Sequence, residues 1–329
     1  MRIKVRLFIL LFFSFLVSNV VKCQVIKSIT LSDNISIWDK APHNAFTTLE
    51  SFDGYLYCAF REATNHKSYD GKIRIIRSKD TQKWESVALI SIGNEDLRDP
   101  KLIVNNGKII LLIVSRTKSK HYSYTYSSFD GMKWSLLEKA NDTWRWSATL
   151  WDNFIYSVGY SGNDRSGQIY KSGDGKKWTS VKRGLFPNVN NLPNETKLFI
   201  TPNNKMVALV RQERGNQNAI IGIAEAPYSD WTWRDLGIRM GSPSGIVLNE
   251  NEILACVRLY NHPVRLSLVK INITDASYKE IATLPSGGDT GYADIVKFNN
   301  QYYISYYSSK NRLKKAVIYL TKLNISQDE

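Results

Sequence analysis

Apolar and polar residues alternate along most of the chain, and short polar turns interrupt the alternation at regular intervals. Six times, a turn containing Asn or Asp precedes an alternating apolar segment. These segments span residues 55–60, 108–114, 154–159, 205–210, 252–257 and 301–306. A period of two predicts β-strands, and we find no long amphipathic helix after residue 23. The pattern therefore predicts an all-β fold.

The spacing of the turns predicts how the strands are grouped. The turns lie at residues 54, 107, 153, 204, 251 and 300, so successive units are 46 to 53 residues long. A unit of about 50 residues suits a four-stranded propeller blade. We predict a single six-bladed β-propeller in residues 24–329, with strands A to D in each blade. Residues 29–38 have no unit of their own, and we place them as the outer strand of blade six, where they close the ring.

A second repeat predicts a tight turn in several blades. Residues 172–178 read Ser-x-Asp-Gly-x-x-Trp, residues 128–134 repeat this motif, and residues 78–84 repeat it without the Gly. Residues 229–233 hold a degenerate copy. The Asp side chain bonds its own backbone, and the Gly accepts a positive φ. We expect these motifs to connect strand C to strand D, with Trp84, Trp134 and Trp178 packed beneath the turns.

The first 23 residues have the pattern of a secretory signal. Three basic residues within positions 2–6 precede an apolar run over residues 7–17. This run is too short for a comfortable membrane span, which needs ~20 residues. Cys23 raises the possibility of a lipid anchor, but Lys22 before it fits that signal poorly. We expect a secreted, periplasmic or otherwise extracellular protein that is not inserted in a membrane after its signal is removed.

The net charge narrows the classes of ligand that we expect, and the cysteines bear on disulfides and metals. The chain has a net charge of +14, and residues 1–23 contribute four basic and no acidic residues, which leaves +10. The basic residues are scattered, so we do not expect nucleic-acid binding, whereas attraction of an anionic substrate fits. Cys58 and Cys256 lie in apolar strand patterns and are expected to be buried thiols. No metal-ligand spacing is present, and we expect neither a metal nor another cofactor.

Three arginines hold equivalent positions at the ends of predicted B strands. Arg61, Arg211 and Arg258 each lie seven residues after a turn. Equivalent positions near a common axis converge, and arginine suits a planar carboxylate through paired hydrogen bonds. The alternative is that each arginine forms a separate ion pair with an acid such as Glu62 or Glu213. The shared register favours one anion-binding site.

The predicted A strands begin at the mouth where the B strands end. Four residues with useful chemistry lie at these beginnings: His43, Asp99, Glu195 and Tyr292. Asp70 lies in the loop between strands B and C of blade one, at the same mouth, where a carboxyl group can act as a general acid. A purely structural role is the alternative for four of these residues. Asp70 precedes Gly71, a hairpin signal, Glu195 and Asp99 fit turns, and Tyr292 fits a channel lining.

The constellation resembles the sialidase superfamily over residues 40–322, and the Ser-x-Asp-Gly-x-x-Trp repeats look like the Asp boxes of that family. Residues 194–211 resemble the stretch from its catalytic Glu to its second substrate-binding Arg, and residues 291–294 resemble the segment with its nucleophilic Tyr. The resemblance implies an acid/base role for Asp70, a nucleophilic Glu195–Tyr292 pair within hydrogen-bond reach, and carboxylate binding by Arg211 and Arg258.

One position departs from that family. Where its first substrate-binding Arg usually stands, this chain has Ala41-Pro42-His43. A histidine is neutral or only partly charged at pH 7. We expect Arg61, from the same blade, to supply the third cation. We also expect His43 and Asp99 to belong to the substrate-binding site. The departure concerns the identity of the acidic sugar more than the fold.

The sequence therefore favours a secreted, sialidase-like glycoside hydrolase that acts on a sialylated or other acidic glycan. The first alternative is a propeller that binds acidic glycans without catalysis. The second is a scaffold whose loops contact a protein partner. Fold alone does not decide among these, because propellers carry many functions.

Overall fold

The computed structural model describes residues 26–162, 164–309 and 315–327. The predicted signal, residues 1–23, lies outside this part of the chain. Six antiparallel sheets form the blades of a β-propeller, which confirms the predicted fold class. Within the described residues the structure has no α-helix, only a 3₁₀ turn at Val189–Asn191.

The strand bounds follow the predicted repeat closely. Blade one contains β2 (His43–Phe52), β3 (Tyr55–Ala63), β4 (Lys72–Ser78) and β5 (Glu85–Ile90). Blade two contains β6 (Asp96–Asn105), β7 (Lys108–Arg116), β8 (His121–Ser128) and β9 (Ser135–Asn141). Blade three contains β10 (Thr143–Arg145) and β11 (Thr149–Trp151), which together form its inner strand, then β12 (Phe154–Ser161), β13 (Asp164–Ser172) and β14 (Thr179–Arg183).

Blades four to six complete the ring. Blade four contains β15 (Pro193–Ile200), β16 (Met206–Gln212), β17 (Ile220–Ala224) and β18 (Thr232–Asp235). Blade five contains β19 (Met240–Asn249), β20 (Glu252–Leu259), β21 (Arg265–Asn272) and β22 (Tyr278–Thr283). Blade six contains β23 (Thr290–Phe298), β24 (Gln301–Ser308), β25 (Val317–Gln327) and β1 (Ile26–Trp38).

The first strand closes the ring, as the sequence predicts. β1 pairs antiparallel with β25 and becomes the outermost strand of blade six. Leu31 is paired with Leu323 in this register, and Ile35 with Leu320. The two ends of the described chain are thus joined within one sheet, and β25 is not left as an exposed edge.

The second strand of a blade is buried on both faces because it lies between two neighbouring blades. Every residue from 56 to 61 in β3 is fully buried. Leu56, Cys58 and Phe60 face blade six, whereas Tyr57 and Ala59 face blade two. Burial of each large apolar side chain stabilises the fold by about 1.5–3 kcal/mol. Cys58 and Cys256 are both buried free thiols, as predicted.

The Ser-x-Asp repeats form the turns between third and fourth strands. In three of them the Asp carboxylate accepts hydrogen bonds from two backbone N–H groups at 2.7–2.8 Å. The indole of Trp178 donates to the carbonyl of Gly175, and Trp84 makes the equivalent bond to Thr81. The turn at Gly173 accepts a hydrogen bond from Asn105, which ends the inner strand of blade two. These turns therefore lie at the end of the propeller away from the beginnings of the inner strands.

Near its beginning, each inner strand is interrupted at a similar level. Register shifts interrupt β2, β6, β15, β19 and β23, and in blade three residues 146–148 separate β10 from β11. Four bulges place a non-glycine residue at positive φ: Phe46, Asp99, Ser242 and Tyr292. Bulges redirect side chains, and residues in this conformation concentrate at functional sites. The ring of bulges forms the floor of one mouth of the propeller.

Candidate active site

Glu195 and Tyr292 form the centre of the site. The Tyr292 hydroxyl donates to Oε1 of Glu195 at 2.5 Å, although the two residues are 97 positions apart. Nη1 of Arg211 contacts the same oxygen at 2.8 Å, and the backbone N–H of Ser242 donates to Oε2 at 2.5 Å. The predicted hydrogen bond between Glu195 and Tyr292 is confirmed. Bulges in blades four, five and six bring these groups together.

The electrostatics of this pair assign the proton to the tyrosine. Burial by itself would raise the pKa of Glu195, but Arg211, Arg258 and the two hydrogen bonds outweigh it and lower that pKa. Burial raises the pKa of Tyr292 well above its ordinary value, and the nearby carboxylates of Asp99 and Glu195 add to this effect. In the resting state a phenol therefore donates to a carboxylate, and Glu195 is placed to accept its proton.

Arg258 is the second arginine that acts on Glu195. Its Nε donates to the carbonyl of Thr290, and its Nη2 lies 3.3 Å from the Tyr307 hydroxyl. Gly291 allows this approach, because a Cβ atom there would lie 2.5 Å from Nη2 of Arg258. Arg211 and Arg258 both lower the pKa of Glu195, so these two predicted arginines share one site.

Arg61 does not join them, so the predicted convergence of the three arginines is wrong for this one. Its side chain is fully buried, with Nε donating to Oδ1 of Asp96 at 2.8 Å. Its Nη1 and Nη2 donate to the carbonyls of Asn65 and Ser68. The end of β3 in blade one faces its own loop and the neighbouring Asp96, so its arginine becomes part of the scaffold.

Asp96 organises three arginines around that loop, which spans residues 64–70. The Asp96 carboxylate is fully buried and contacts Arg61, Arg98 and Arg116 at 2.8–3.0 Å. Arg98 donates to the carbonyl of His66, and Arg116 donates to the carbonyl of Lys67. Four consecutive loop carbonyls, at residues 65–68, therefore accept hydrogen bonds from this arginine cluster. The loop is held in place beside the site.

His43 occupies the mouth but belongs to a histidine–carboxylate cluster. Its Nε2 lies 3.0 Å from Oδ2 of Asp289, and Nδ1 of His66 lies 2.7 Å from the same oxygen. Burial lowers the pKa of His43 more than the Asp289 hydrogen bond raises it, so His43 is neutral near pH 7. Burial alone would raise the pKa of Asp289, but hydrogen bonds from His43, His66 and Tyr307 outweigh it and lower the pKa.

These three residues are also the one group within the described chain whose ligand atoms lie close enough to hold a metal ion. Sequence spacing did not reveal the group, because Asp289 is 246 and 223 positions away from His43 and His66. Two ligands on a tetrahedral zinc ion lie about 3.3 Å apart, as bonds of ~2.0–2.1 Å require. The observed separations of 3.0 and 2.7 Å are those of direct hydrogen bonds.

Asp99 and Asp70 have opposite surroundings. Asp99 is 3% exposed, and its Oδ1 has no hydrogen-bond partner among the described residues. Burial raises the pKa of Asp99 despite Arg98 and Lys101. Asp70 is exposed and accepts hydrogen bonds from the backbone N–H and the hydroxyl of Thr64. These bonds and one from Ser68 lower its pKa, although its partial burial acts in the other direction.

A cavity of about 540 Å³ leads from the Glu195–Tyr292 pair along the inner strands. Trp146 lines it, and its ring lies 5.4 Å from that of Trp144 and 6.2 Å from that of Tyr160. This aromatic cluster, of which Trp146 lines the cavity, was not predicted, although Trp144 and Trp146 precede the third B strand in the sequence. Asp70 lines a different cavity with Tyr69, Ser91 and Thr117.

Comparison with known proteins identifies the fold. No family model matches the chain, and no curated protein matches it. Among solved structures, a protein of unknown function from Dyadobacter fermentans superimposes with a TM-score of 0.78 and 20% identity, over 91% of this chain and 100% of that one. The GH93 α-L-arabinofuranosidase of Fusarium graminearum, solved with arabinobiose, gives 0.70 and 15% over 88% and 97%.

A sialidase from Trypanosoma rangeli, in complex with sialic acid, gives a TM-score of 0.65 and 12% identity, over 90% of this chain and 59% of that one. These identities establish a shared six-bladed propeller and nothing finer. Two of the three similar proteins are glycoside hydrolases, so the chain has a fold that such enzymes use. In the described residues, no helix is long and apolar enough to cross a membrane.

Proposed function

We propose that the protein is a retaining glycoside hydrolase in which Tyr292 is the nucleophile and Glu195 is its base. The hydrogen bond of the Tyr292 hydroxyl to the ionised Glu195 carries the proposal. Arg211 holds the carboxylate in place through the same Oε1 atom. As the tyrosine oxygen bonds to the anomeric carbon, its proton moves to Glu195. The phenolate is never free, so the high pKa of Tyr292 does not prevent attack.

The cationic surroundings support an acidic sugar as substrate. A tyrosine is the exceptional nucleophile of sialidases, and a near-neutral phenol approaches an anionic sugar with less repulsion than a carboxylate does. Arg211 and Arg258 both lie beside Glu195, where their remaining N–H groups can bind a substrate carboxylate. Secretion, predicted from residues 1–23, would bring such an enzyme to extracellular glycans.

A neutral sugar is the competing substrate class, and two observations favour it. The third cation of the sequence prediction is missing, because Arg61 is buried and His43 is neutral beside the Asp289 carboxylate. The similarity to an α-L-arabinofuranosidase points in the same direction. Trp146, which lines the cavity, offers a face to a sugar ring of either class.

Hydrolysis of a panel of 4-methylumbelliferyl glycosides tests the proposal. The panel contains the α-N-acetylneuraminide, the β-glucuronide and the α-L-arabinofuranoside. We expect the wild type to cleave an acidic member and Tyr292→Phe to lose at least ~10³-fold in kcat, since it lacks the nucleophile. Tyr302→Phe is the control, because Tyr302 is the second residue of β24, at the opposite end of the propeller.

The outcomes separate the alternatives. Cleavage of only the arabinofuranoside would keep the mechanism and replace the acidic substrate by a neutral one. Binding of sialyllactose without cleavage of any panel member would replace the enzyme by a glycan-binding propeller. Unchanged turnover in Tyr292→Phe would reject the mechanism.

A further inference from the structure

The proposed reaction needs a second group, which protonates the leaving oxygen and later activates water. Asp70 was the candidate from the sequence, but in the structure its carboxylate has other partners. Its carboxylate accepts hydrogen bonds from the backbone N–H and the hydroxyl of Thr64. Hydrogen bonds lower its pKa, whereas a general acid must hold a proton at working pH.

We infer that His66, oriented by Asp289, is the acid/base residue of this site. The inference rests on the proposed function, because it assigns the second role in that reaction. His66 and Tyr292 pack on the same phenyl ring: the Phe46 centroid is 5.4 Å from that of His66 and 4.6 Å from that of Tyr292. His66 is on the same loop as Asp70, and Phe46 is the ring that it shares with the nucleophile.

The orientation of the imidazole suits proton transfer. Nδ1 of His66 donates to Oδ2 of Asp289 at 2.7 Å, and the Tyr307 hydroxyl fixes the other carboxylate oxygen at 2.8 Å. A carboxylate on Nδ1 selects the tautomer and leaves Nε2 to exchange the proton with substrate. No described residue is hydrogen-bonded to Nε2, and 40% of the side chain is exposed.

The loop that carries His66 is rigidly held, as catalysis requires. The backbone carbonyl of His66 accepts from Nη1 of Arg98 at 3.0 Å, and Arg98 is anchored by the buried Asp96. The guanidinium of Arg98 also stacks 4.7 Å from the centre of Phe46. The arginine cluster therefore fixes the imidazole relative to the ring on which Tyr292 packs.

The charges around His66 come from several elements. Asp289, whose pKa is lowered, places a negative charge beside Nδ1 of His66. His43, whose ring lies 5.4 Å away, has a lowered pKa and adds no positive charge near pH 7. Arg98 donates to the backbone carbonyl of His66, and burial raises the pKa of Asp99 on the same strand.

Protons and bonds balance over the two steps of the proposed hydrolysis. In the first, the Nε2 proton of the His66 imidazolium passes to the glycosidic oxygen as its bond to the anomeric carbon breaks, while Tyr292 bonds to that carbon and gives its proton to Glu195. In the second, neutral Nε2 takes a proton from water, whose oxygen displaces Tyr292. The tyrosine then recovers its proton from Glu195, and the enzyme returns to its first state.

Leaving-group dependence and azide rescue provide the test. Wild type, His66→Ala and Asp70→Asn are assayed on 4-nitrophenyl α-N-acetylneuraminide, whose phenol leaves easily, and on α2,3-sialyllactose, whose alcohol needs protonation. We expect His66→Ala to lose ~10²–10⁴-fold in kcat/KM on sialyllactose and much less on the aryl substrate. Azide should restore aryl turnover and yield a glycosyl azide, because it replaces water without needing a base. Asp70→Asn should stay within a few-fold of wild type on both.

Other results would overturn the assignment. Selective loss and azide rescue in Asp70→Asn or in Asp99→Asn, with His66→Ala nearly unaffected, would move the role to that aspartate. Loss of wild-type activity in EDTA and its return with Zn²⁺ would make the His43–His66–Asp289 group a metal site. The proposed function fails separately, if Tyr292→Phe retains full turnover or if wild type cleaves no glycoside.

Discussion

At the scale of single residues, the site depends on the two side chains that share one carboxylate oxygen of Glu195. Oε1 of Glu195 accepts from the Tyr292 hydroxyl and contacts Arg211. The guanidinium keeps the carboxylate ionised despite its burial, which is the condition for taking a proton from a phenol. A buried carboxylate that lost this partner would have a raised pKa, so a larger fraction of it would already be protonated and unable to take the proton of Tyr292.

Arg211→Ala should therefore lower kcat/KM by a factor on the order of 10²–10³, as loss of a charged hydrogen bond in a buried site does. Both kcat and KM should change, because Arg211 supports the base and contacts the substrate in the proposal. Arg239→Ala is the matched control, since Arg239 pairs with the same Glu213 but not with Glu195. Steady-state kinetics on the substrate found in the panel measures the effect, and an unchanged kcat/KM would contradict it.

The same scale shows what a repeat register can predict. Arg61, Arg211 and Arg258 occupy equivalent positions in sequence, and the register correctly brought Arg211 and Arg258 to one site. It failed for Arg61 because the buried Asp96 of the next blade captures that guanidinium. His66 was missed for a related reason. Its partner Asp289 is 223 positions away, and only the closed ring brings blade six beside blade one.

At the scale of strands and turns, the repeat was predictable because its causes are local. The Ser-x-Asp turns satisfy their own backbone N–H groups, and alternating apolar residues follow from strands packed between neighbouring blades. The bulges near the beginnings of the inner strands were not predictable, since Phe46 and Tyr292 carry no turn signal of their own. Their positive φ depends on packing across the mouth of the propeller.

The contribution of the outer strands to stability can be tested through an ion pair between β21 and β22. Arg265 binds Glu280 through two parallel hydrogen bonds at 2.8 and 2.6 Å, and these bonds lower the pKa of Glu280 to about 2. A lowered folded-state pKa adds stability above the unfolded value of ~4.3 and loses it as the pH falls toward 2. With allowance for partial exposure, Glu280→Gln should cost about 1–2 kcal/mol at pH 7 and almost nothing near pH 2.

Urea unfolding at several pH values measures that difference. Glu85→Gln is the matched control, because Glu85 pairs with Arg77 across the third and fourth strands of blade one but is 59% exposed. Its loss should cost no more than ~0.5 kcal/mol at any pH. A pH-independent cost for Glu280→Gln would show that the charge is not the source of its effect.

At the scale of the whole molecule, the proposed active site depends on ring closure. Glu195 belongs to blade four, Tyr292 to blade six, and the loop with His66 to blade one. Blade six is complete only when β1 pairs with β25, so the first described strand supports the place where blades six and one meet. Removing it would leave an unpaired edge and uncover the apolar residues Leu320 and Leu323, which are now 2% and 0% exposed.

A chain that starts at residue 39 should therefore lose stability and activity together. We expect its melting temperature to fall by roughly 10 °C or more, because several large side chains lose their burial, and the hydrogen bonds of β25 lose their partner strand. The control is a chain that starts at residue 24, which lacks only the predicted signal and should keep its melting temperature because it retains β1. Differential scanning calorimetry compares the two, with turnover of the panel substrate measured on the same samples. If the shorter chain kept its melting temperature but lost activity, β1 would serve the site without closing the ring. If it kept both, the closure would have no energetic role.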